Sequence, residues 1–387
     1  MKKILVMPLL QMPSGHHQVA EALINKIENL NEEVLVKKID LISYTNKTLE
    51  KVVTKTYLEW ISRAPNIYQW LYKTYIYSKS GSTSLINIYN HLFMKRMEQL
   101  INVEQPHLII CTHSFPSMLL ARLKIKKGLK VPVINAYTDF FINDMWGKQE
   151  IDLHFVPNKQ IKLQLINEGV NERNIYITGI PIDEEFKMNT HFRKQVERKK
   201  ILITGGNSGL GDMKRLLKRV RNNLQFDYFV LCGNNQALFQ QIQSWKLPHI
   251  KPISYVSSRK EMSYLYDQVD AVITKPGGVT ISEAIQKKIP IFIHASLPGQ
   301  EKVNLAFLKE KGLVFELAGD KSIEQQLQEV LMNENILKNY YQNVNAYHLE
   351  IDVSKLKLQA ILAAAINHPY KPMRRSKRDQ LYVSTSY

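Results

Sequence analysis

The sequence lacks a long apolar run. It contains no stretch of about 18 consecutive apolar residues, the length that a helix needs to cross a bilayer. The apolar run after Lys2 and Lys3 is short, contains Pro8 and leads into Pro-Ser-Gly-His-His instead of a small-residue cleavage site. We therefore expect neither a signal peptide nor a membrane span, and any membrane contact should be peripheral.

Cysteine is also scarce. Cys111 and Cys232 are the two cysteines of the chain, and each lies in an apolar run typical of a β-strand. Such positions favour buried thiols over a disulfide or a metal site. The expected compartment is the reducing cytoplasm.

Acidic residues are few relative to basic ones. The chain has 35 Asp and Glu against 52 Lys and Arg, which gives a net charge of +17. An excess of this size predicts an anionic partner, which is a nucleic acid, a nucleotide or an acidic membrane surface. Because no recognisable DNA- or RNA-binding motif is present, we expect no nucleic acid among the partners.

The sequence does contain a repeated alternation of strands and helices. At 387 residues it exceeds what one hydrophobic core usually serves, so two domains are expected. The alternation predicts an α/β fold with two doubly wound, mostly parallel sheets. The main strand-like runs are Lys3–Leu10, Val34–Ile39, His107–Thr112, Val131–Ala136, His154–Pro157, Ile175–Ile177, Lys200–Thr204, Tyr228–Gly233, Ala271–Thr274 and Ile289–His294.

Four segments follow from this pattern and from the polar, charged run that begins at Asp183. We predict an N-terminal domain over residues 1–182 and a C-terminal domain over residues 183–350. A helix within residues 351–370 should return to the N-terminal domain. Residues 371–387 form a basic tail, for which a disordered end is favoured.

The stretch Ala271–Ala284, which reads AVITKPGGVTISEA, is the most informative part of the chain. Its first four residues end a buried strand, the KPGG segment makes a sharp turn, and a helix begins at Val279. A strand that opens directly into a helix leaves unpaired N–H groups and the positive end of the helix dipole at one point. Such a point suits a phosphate.

The side chains of this corner fit a nucleotide. Gly277 and Gly278 would let an oxygen-rich group approach the backbone, and Glu283 would hold the two vicinal hydroxyls of a ribose. The alternative is an ordinary strand–helix corner with a glutamate that suits the helix dipole.

A second corner of this kind follows the first strand. It reads MPSGHH and is expected to place Gly15, His16 and His17 in a loop at the carboxyl edge of a sheet, before a helix over Gln18–Leu30. Asp139 follows another strand at the same kind of edge. Its carboxylate can act as a general base within hydrogen-bond reach of a substrate hydroxyl, or it can simply cap its loop.

Two further loops carry polar chemistry. The loop GGNSGLG, which starts at Gly205 and Gly206, lacks the G-x-G-x-x-G spacing of a dinucleotide site but remains a plausible backbone cradle. The segment LPGQEKVN offers Gln300, Glu301 and Asn304 for the hydroxyls of a sugar. Its alternative is a solvated helix N-terminus.

Residues 54–100 are dense in Tyr and Trp interleaved with Lys and Arg. These residues either pack helices on a core, with the cations at the rim, or form a surface at headgroup depth on an anionic membrane. The candidates for membrane or acceptor contact are Trp60, Tyr68, Trp70, Tyr72 and Tyr75.

Five collinear motifs resemble a known family. They are SGHHQVAEAL, NAYTDF, ITGIPI, ITKPGGVTISEA and PGQEKVNLAFL, and together they span most of the chain. The pairing of TKPGG and SEA with a following PGQE is the specific part. The sequence resembles glycosyltransferase family 28 in its diacylglycerol branch, which contains processive diacylglycerol β-glucosyltransferases and monogalactosyldiacylglycerol synthases.

The resemblance implies the GT-B fold, with two Rossmann-like domains facing across a cleft. The N-terminal domain would take the lipid acceptor and the C-terminal domain a UDP-sugar. His16 would lie at the reacting centre and Asp139 would be the general base. The donor-binding set would be Gly15, Gly205, Gly206, Tyr255, Val256, Lys275, Pro276, Gly277, Gly278, Glu283, Gln300, Glu301 and Asn304, with uracil near Tyr255 and the diphosphate near Pro276.

The implied reaction moves glucose or galactose from UDP to diacylglycerol with inversion, once or repeatedly, at the inner face of the cell membrane. No D-x-D motif for a metal occurs, so no cofactor and no metal are expected, and Lys275 with the helix dipole would stabilise the departing UDP. Three alternatives stay open. They are a transferase for another lipid or soluble acceptor, a UDP-sugar epimerase on the same fold, and a non-catalytic UDP-sugar-binding module.

Overall fold

The computed structural model describes residues 2–9, 15–29, 34–41, 84–187, 198–205, 213–297, 299–351 and 353–367, with the backbone alone at 84–92 and 355–356. Within these residues the chain forms two six-stranded sheets with helices between the strands. Every strand pair in both sheets is parallel. The predicted α/β fold of two doubly wound sheets is confirmed.

The first sheet has the strand order β2-β1-β3-β4-β5-β6. Its strands are β1 (Lys2–Met7), β2 (Val34–Lys38), β3 (Leu108–Cys111), β4 (Val133–Ala136), β5 (Leu153–Val156) and β6 (Ile175–Ile177). The order reverses between β1 and β3, which places the topological switch point there.

The second sheet has the order β12-β11-β10-β7-β8-β9, the Rossmann order. Its strands are β7 (Lys200–Thr204), β8 (Asp227–Leu231), β9 (Ile250–Ile253), β10 (Ala271–Thr274), β11 (Ile291–Ile293) and β12 (Phe315–Glu316). Here the switch point lies between β7 and β10.

Twelve α-helices accompany the strands in the described residues. They are α1 (Gly15–Glu28), α2 (Ser84–Glu104), α3 (Ser114–Lys127), α4 (Lys159–Asn167), α5 (Met213–Val220), α6 (Gln236–Ser244), α7 (Arg259–Asp267), α8 (Gly278–Gln286), α9 (Gln300–Glu310), α10 (Ile323–Leu331), α11 (Glu334–Glu350) and α12 (Lys355–Asn367). None of them combines the length and the apolar character that crossing a membrane requires.

Alternate residues of the strands serve opposite faces. Ile4 and Val6 of β1 join one hydrophobic cluster, whereas Leu5 and Met7 join another. A period of two is what a strand with both faces covered produces. Both cysteines are buried free thiols, as predicted.

One boundary differs in a way that matters for the site. The sequence predicts a loop over the histidines and a helix from Gln18, but α1 already begins at Gly15, so His16 and His17 lie in its first turn. The apolar periodicity starts only at Val19 because the first turn does not pack on the core. Likewise, β1 ends at Met7 instead of Leu10.

The described chain passes between the two sheets at two places. After β6, a 3-10 turn over Glu184–Phe186 packs on α7, and its Phe186 ring lies 5.5 Å from the ring of Tyr266. At the end of α11, the hydroxyl of Tyr347 donates to the Pro157 carbonyl at 2.9 Å. Ile351 then packs on Gly179, where an added methyl group would come within 3.0 Å of it. The two halves are therefore joined by side-chain contacts as well as by the chain.

Candidate active site

The predicted catalytic residues lie at the carboxyl ends of strands that flank the switch point of the first sheet. His16 follows β1, Thr112 follows β3, and Thr138 and Asp139 follow β4. The KPGG turn follows β10 at the switch point of the second sheet, and Gly205 follows β7. Open α/β sheets bind ligands at such points, so both halves direct a binding edge at the same cleft.

The His16 ring is fixed by two neighbouring strand ends. Its Nδ1 lies 2.9 Å from the Thr112 carbonyl oxygen and 2.9 Å from Thr138 Oγ1. The Thr112 hydroxyl donates in turn to the His16 carbonyl at 3.0 Å. A carbonyl can only accept, so in the neutral ring Nδ1 carries the proton and Nε2 keeps its lone pair.

Burial lowers the pKa of His16, while the negative charge of Asp139 and the Thr112 carbonyl act in the opposite direction. The His113 ring stands edge-on to it with centroids 4.6 Å apart, and burial also holds the pKa of His113 well below its usual value. Both imidazoles are therefore neutral near pH 7.

Asp139 is partly exposed at the mouth of this site. Its Oδ1 accepts a hydrogen bond from the Asn304 side-chain amide at 2.9 Å, and its Oδ2 lies 3.4 Å from Thr138 Oγ1. His16 and Asp139 therefore contact the same threonine hydroxyl. The structure brings together the two residues that the sequence predicts for catalysis.

Asn304 has a different environment from the one predicted for a donor-binding residue. It is 1% exposed, and its amide group donates to Asp139 and to the Pro276 carbonyl at 3.1 Å. Its oxygen accepts from the Phe140 N–H at 2.8 Å. Both amide protons are thus used inside the protein.

Gly277 and Gly278 also differ from each other. An added methyl group at Gly278 would come within 2.0 Å of the Thr138 carbonyl oxygen, so the oxygen that approaches this glycine belongs to the protein. At Gly277 nothing lies within 4 Å, which leaves space for a ligand. Gly15 packs on Val279 of α8 at 3.4 Å by the same measure. These glycines therefore divide between the contact of the two halves and the open cleft.

The N-terminus of α8 fits the predicted anion site. Its N-cap is Gly277, and no side chain caps it. The positive charge of Lys275 and a hydrogen bond from the Leu297 N–H both act on the Glu301 carboxylate, which burial drives to a higher pKa. Gln300 begins α9 beside it and is partly exposed. The arrangement offers positive potential next to hydroxyl-binding groups.

Glu283 lies one turn inside α8 and is 4% exposed. Its Oε1 pairs with the Arg259 guanidinium, which also lies over the Phe186 ring, and its Oε2 is 3.5 Å from the Tyr266 hydroxyl. Burial raises the pKa of Glu283 to about 7 despite Arg259, and the charge of Asp183 adds to the rise. Its protonation therefore changes near neutral pH.

A pocket of about 510 Å³, counted with the solvent at its open mouth, lies next to Glu283. Tyr255 and Val256 line it, as predicted for a base-binding site, and Gln18 enters it from the other half. The complete lining is Gln18, Thr204, Leu231, Gly233, Ser254, Tyr255, Val256, Arg259, Met262, Tyr266, Thr280 and Glu283.

Some predicted residues fall outside the described residues. They are Gly206 of the second glycine loop and the aromatic residues Trp60, Tyr68, Trp70, Tyr72 and Tyr75, together with the basic tail after residue 367. In the residues that are described, no group of three or more His, Cys, Asp or Glu side chains is placed to hold a metal.

Sequence reasoning missed three residues of the site. Thr138 links His16 to Asp139, and Arg259 and Tyr266 surround Glu283. The signal for Arg259 was its place in the first turn of a helix after β9, capped by Ser258. The sequence does not indicate its pairing with a glutamate 24 positions away.

Comparison with known proteins identifies the family. The family model described as monogalactosyldiacylglycerol (MGDG) synthase matches residues 16–182. The uncharacterised glycosyltransferase YkoN of Bacillus subtilis (strain 168) is 38% identical over 360 residues, which cover 92% of this chain and 96% of that protein. This chain belongs to the diacylglycerol branch of glycosyltransferase family 28. It is a glycosyltransferase.

More distant relatives in this family carry functional names. A processive diacylglycerol β-glucosyltransferase of Bacillus pumilus (strain SAFR-032) is 29% identical over 360 residues, 90% of this chain and 92% of that protein. One of B. subtilis (strain 168) is 27% identical over 358 residues, with the same coverage.

Solved structures match the fold of the glycosyltransferase. S. aureus MnaA with UDP has a TM-score of 0.60 at 15% identity and covers 94% of this chain and 96% of that chain. Acinetobacter baumannii MurG has a TM-score of 0.60 at 13% identity, with 93% and 99% covered. The calicheamicin glycosyltransferase CalG4 reaches 0.61 at 11% identity, with 95% and 99% covered. The GT-B fold is thereby confirmed.

Proposed function

We propose that this glycosyltransferase moves glucose or galactose from a UDP-hexose to diacylglycerol and forms a β-linked glycolipid. The observation that carries the proposal is the single cleft in which His16, Asp139 and the uncapped N-terminus of α8 meet. The names of the relatives, diacylglycerol β-glucosyltransferase and monogalactosyldiacylglycerol synthase, support the acceptor class.

The donor would occupy the second half of the cleft. The pocket beside Tyr255 and Val256 would take uracil, and Glu283 the ribose hydroxyls. The diphosphate would lie in the open space at Gly277, against the positive end of α8 and near Lys275. Gln300 and Glu301 would then face the hexose.

The reaction would be a single displacement. Asp139 takes the proton of the acceptor hydroxyl as its oxygen bonds to C1 of the hexose from the face opposite the phosphate. The bond between C1 and the phosphate oxygen breaks, and UDP leaves with its electron pair. An α-linked donor therefore gives a β-linked product. Positive potential at α8 and Lys275 stabilises the charge on UDP.

We propose that the transfer needs no metal, because Lys275 and the helix dipole supply the positive potential at the phosphate. EDTA should leave the rate unchanged to within about twofold, and added Mg²⁺ should not raise it. A rate that EDTA abolishes and Mg²⁺ restores would contradict this mechanism.

We also propose that the enzyme acts at the inner surface of the cell membrane without spanning it. The net charge of +17 supports attraction to anionic lipid, which is worth about 1 kcal/mol for each Lys or Arg near the surface.

A transfer assay tests the function directly. Purified protein, anionic vesicles containing diacylglycerol, and labelled UDP-glucose or UDP-galactose in parallel should yield one labelled glycolipid or a ladder of them. The ladder would show repeated transfer. Donor that is bound or hydrolysed without any lipid product would contradict the acceptor and favour another acceptor or a binding module.

A further inference from the structure

Asn304 is the most completely engaged polar residue of the cleft. Its amide nitrogen donates to Asp139 Oδ1 at 2.9 Å and to the Pro276 carbonyl at 3.1 Å, and its oxygen accepts from the Phe140 N–H at 2.8 Å. Pro276 belongs to the second half, whereas Asp139 and Phe140 belong to the first. One side chain at 1% exposure therefore connects the two halves.

The surroundings of Asn304 are built for close contact. The Phe307 ring, on the same helix α9, stacks on the Phe140 ring with centroids 5.4 Å apart. Close by, Gly278 leaves no room for a side chain against the Thr138 carbonyl. The loop that carries Thr138, Asp139 and Phe140 is thus enclosed by α8 and α9 of the other half.

The hydrogen bonds to Asn304 have a direct consequence for Asp139. The carboxylate oxygen Oδ1 is held by a neutral donor, which fixes the carboxylate plane and leaves Oδ2, near Thr138, to take a proton. Asn304 can supply this donor only while α9 lies on the first half. The position of the carboxylate is therefore tied to the contact of the two halves.

We propose that Asn304 is a positioning residue that orients the Asp139 carboxylate and makes this orientation depend on closure of the two halves. This assignment replaces the predicted contact of Asn304 with the donor sugar. It rests on the proposed function of Asp139 as the general base.

Asn304→Asp is the sharpest variant. The new side chain keeps an oxygen for the Phe140 N–H but puts a carboxylate oxygen about 2.9 Å from Asp139 Oδ1. Two carboxylates this close share a proton, so the base is blocked until a higher pH. The other charged or titratable groups that act here are His16, Lys275 and Glu301.

We expect the acid limb of the pH profile of kcat to move upward by at least about one pH unit in Asn304→Asp, because of this shared proton. At pH 7 kcat should fall about a hundredfold, while the Kd for UDP changes by less than about twofold. The matched control is Ala306→Asp, which adds the same charge at an exposed position of α9 and should leave the profile unchanged.

A second measurement needs no substrate. In Asn304→Leu the Phe140 amide loses its acceptor, so its hydrogen exchange should accelerate by at least about tenfold, with little change in the strands of either sheet. An unchanged exchange rate at Phe140 would overturn the inference, as would a wild-type pH profile in Asn304→Asp. A weaker Kd for UDP-hexose with an unaltered kcat would instead return Asn304 to donor binding.

Failure of this inference can be told from failure of the proposed function. If wild-type protein transfers hexose and Asp139→Asn does not, the base stands whatever Asn304 does. If wild-type protein transfers nothing, the function falls, and the exchange rate at Phe140 still decides whether Asn304 holds the loop.

Discussion

Asp139 and His16 share one hydroxyl group, that of Thr138, which makes the two candidate bases distinguishable by mutation. Asp139 has one oxygen held by Asn304 and one near Thr138, whereas His16 has its Nδ1 held and its Nε2 lone pair available. Either atom can accept a proton chemically. The residue that does so is the one whose removal stops turnover.

Asp139→Asn should lower kcat by about a thousandfold, the size typical of a general base, and should leave the Kd for UDP unchanged. The amide keeps the shape and the contact with Thr138 but cannot take a proton. Transfer assays and calorimetric titration with UDP measure the two quantities. If turnover persists, Nε2 of His16 is the remaining base.

Glu283 predicts a pH dependence of donor binding. Its pKa is about 7, so its ionised fraction rises from about a tenth at pH 6 to about nine tenths at pH 8. A carboxylate accepts two ribose hydroxyls better than the protonated acid does. The affinity for UDP-glucose should therefore increase about tenfold over this range, as measured by calorimetry.

The control for this prediction is Glu283→Gln, which removes the titration. Its affinity should be weak and should not vary between pH 6 and pH 8. UDP-glucose is the right probe because its diphosphate does not titrate in this range, whereas free UDP does. An affinity of the unmodified enzyme that is flat with pH would contradict the assignment of Glu283 to the ribose.

At the scale of the elements, α8 has two different tasks at its N-terminus. Gly278 sits against the Thr138 carbonyl of the other half, and Gly277 faces open space. The first position serves the contact of the two halves, and the second is free to receive a ligand. Adjacent glycines of one motif are thus retained for separate reasons.

The pair Gly277→Ala and Gly278→Ala tests this division. Gly278→Ala should lower the free energy of unfolding by about 2 to 3 kcal/mol, because its methyl group would overlap the Thr138 carbonyl. Gly277→Ala should cost less than about 1 kcal/mol but should weaken UDP-glucose binding. Urea unfolding and calorimetry measure both, and a Gly278→Ala protein as stable as wild type would contradict the contact.

The elements also show what the sequence could and could not predict. Strands β6, β7 and β10 were predicted to the residue, because buried apolar runs between turns are strong local signals. The start of α1 and the partner of Gly278 were not predictable, because the first depends on a turn that faces the cleft and the second on a carbonyl 140 positions away. The engagement of Asn304 was missed for the same reason.

At the scale of the whole molecule, charge is the property that the sequence states most plainly. The net charge of +17 predicts that binding to anionic vesicles is electrostatic. The fraction bound should be large at about 50 mM salt and should fall steeply towards 500 mM, where the screening length is about 4 Å. Vesicle sedimentation measures it, with zwitterionic vesicles as the control.

A protein truncated after residue 370 separates the contribution of the basic tail from that of the rest of the chain. Reduced binding with unchanged transfer to detergent-dispersed diacylglycerol would assign the tail to membrane attachment. Binding that does not depend on salt or on anionic lipid would contradict an electrostatic attachment.

The contact between Ile351 and Gly179 sets how the two halves can move. Both connections of the described chain pass close to this contact, so relative motion there is largely a rotation about one axis. Opening about that axis separates α9 from the loop that holds Asp139 and withdraws Asn304. A molecule that is open to load its donor then lacks an oriented base, and a water molecule in the cleft has no partner to activate it, so the costly sugar nucleotide is protected from hydrolysis until the acceptor is enclosed.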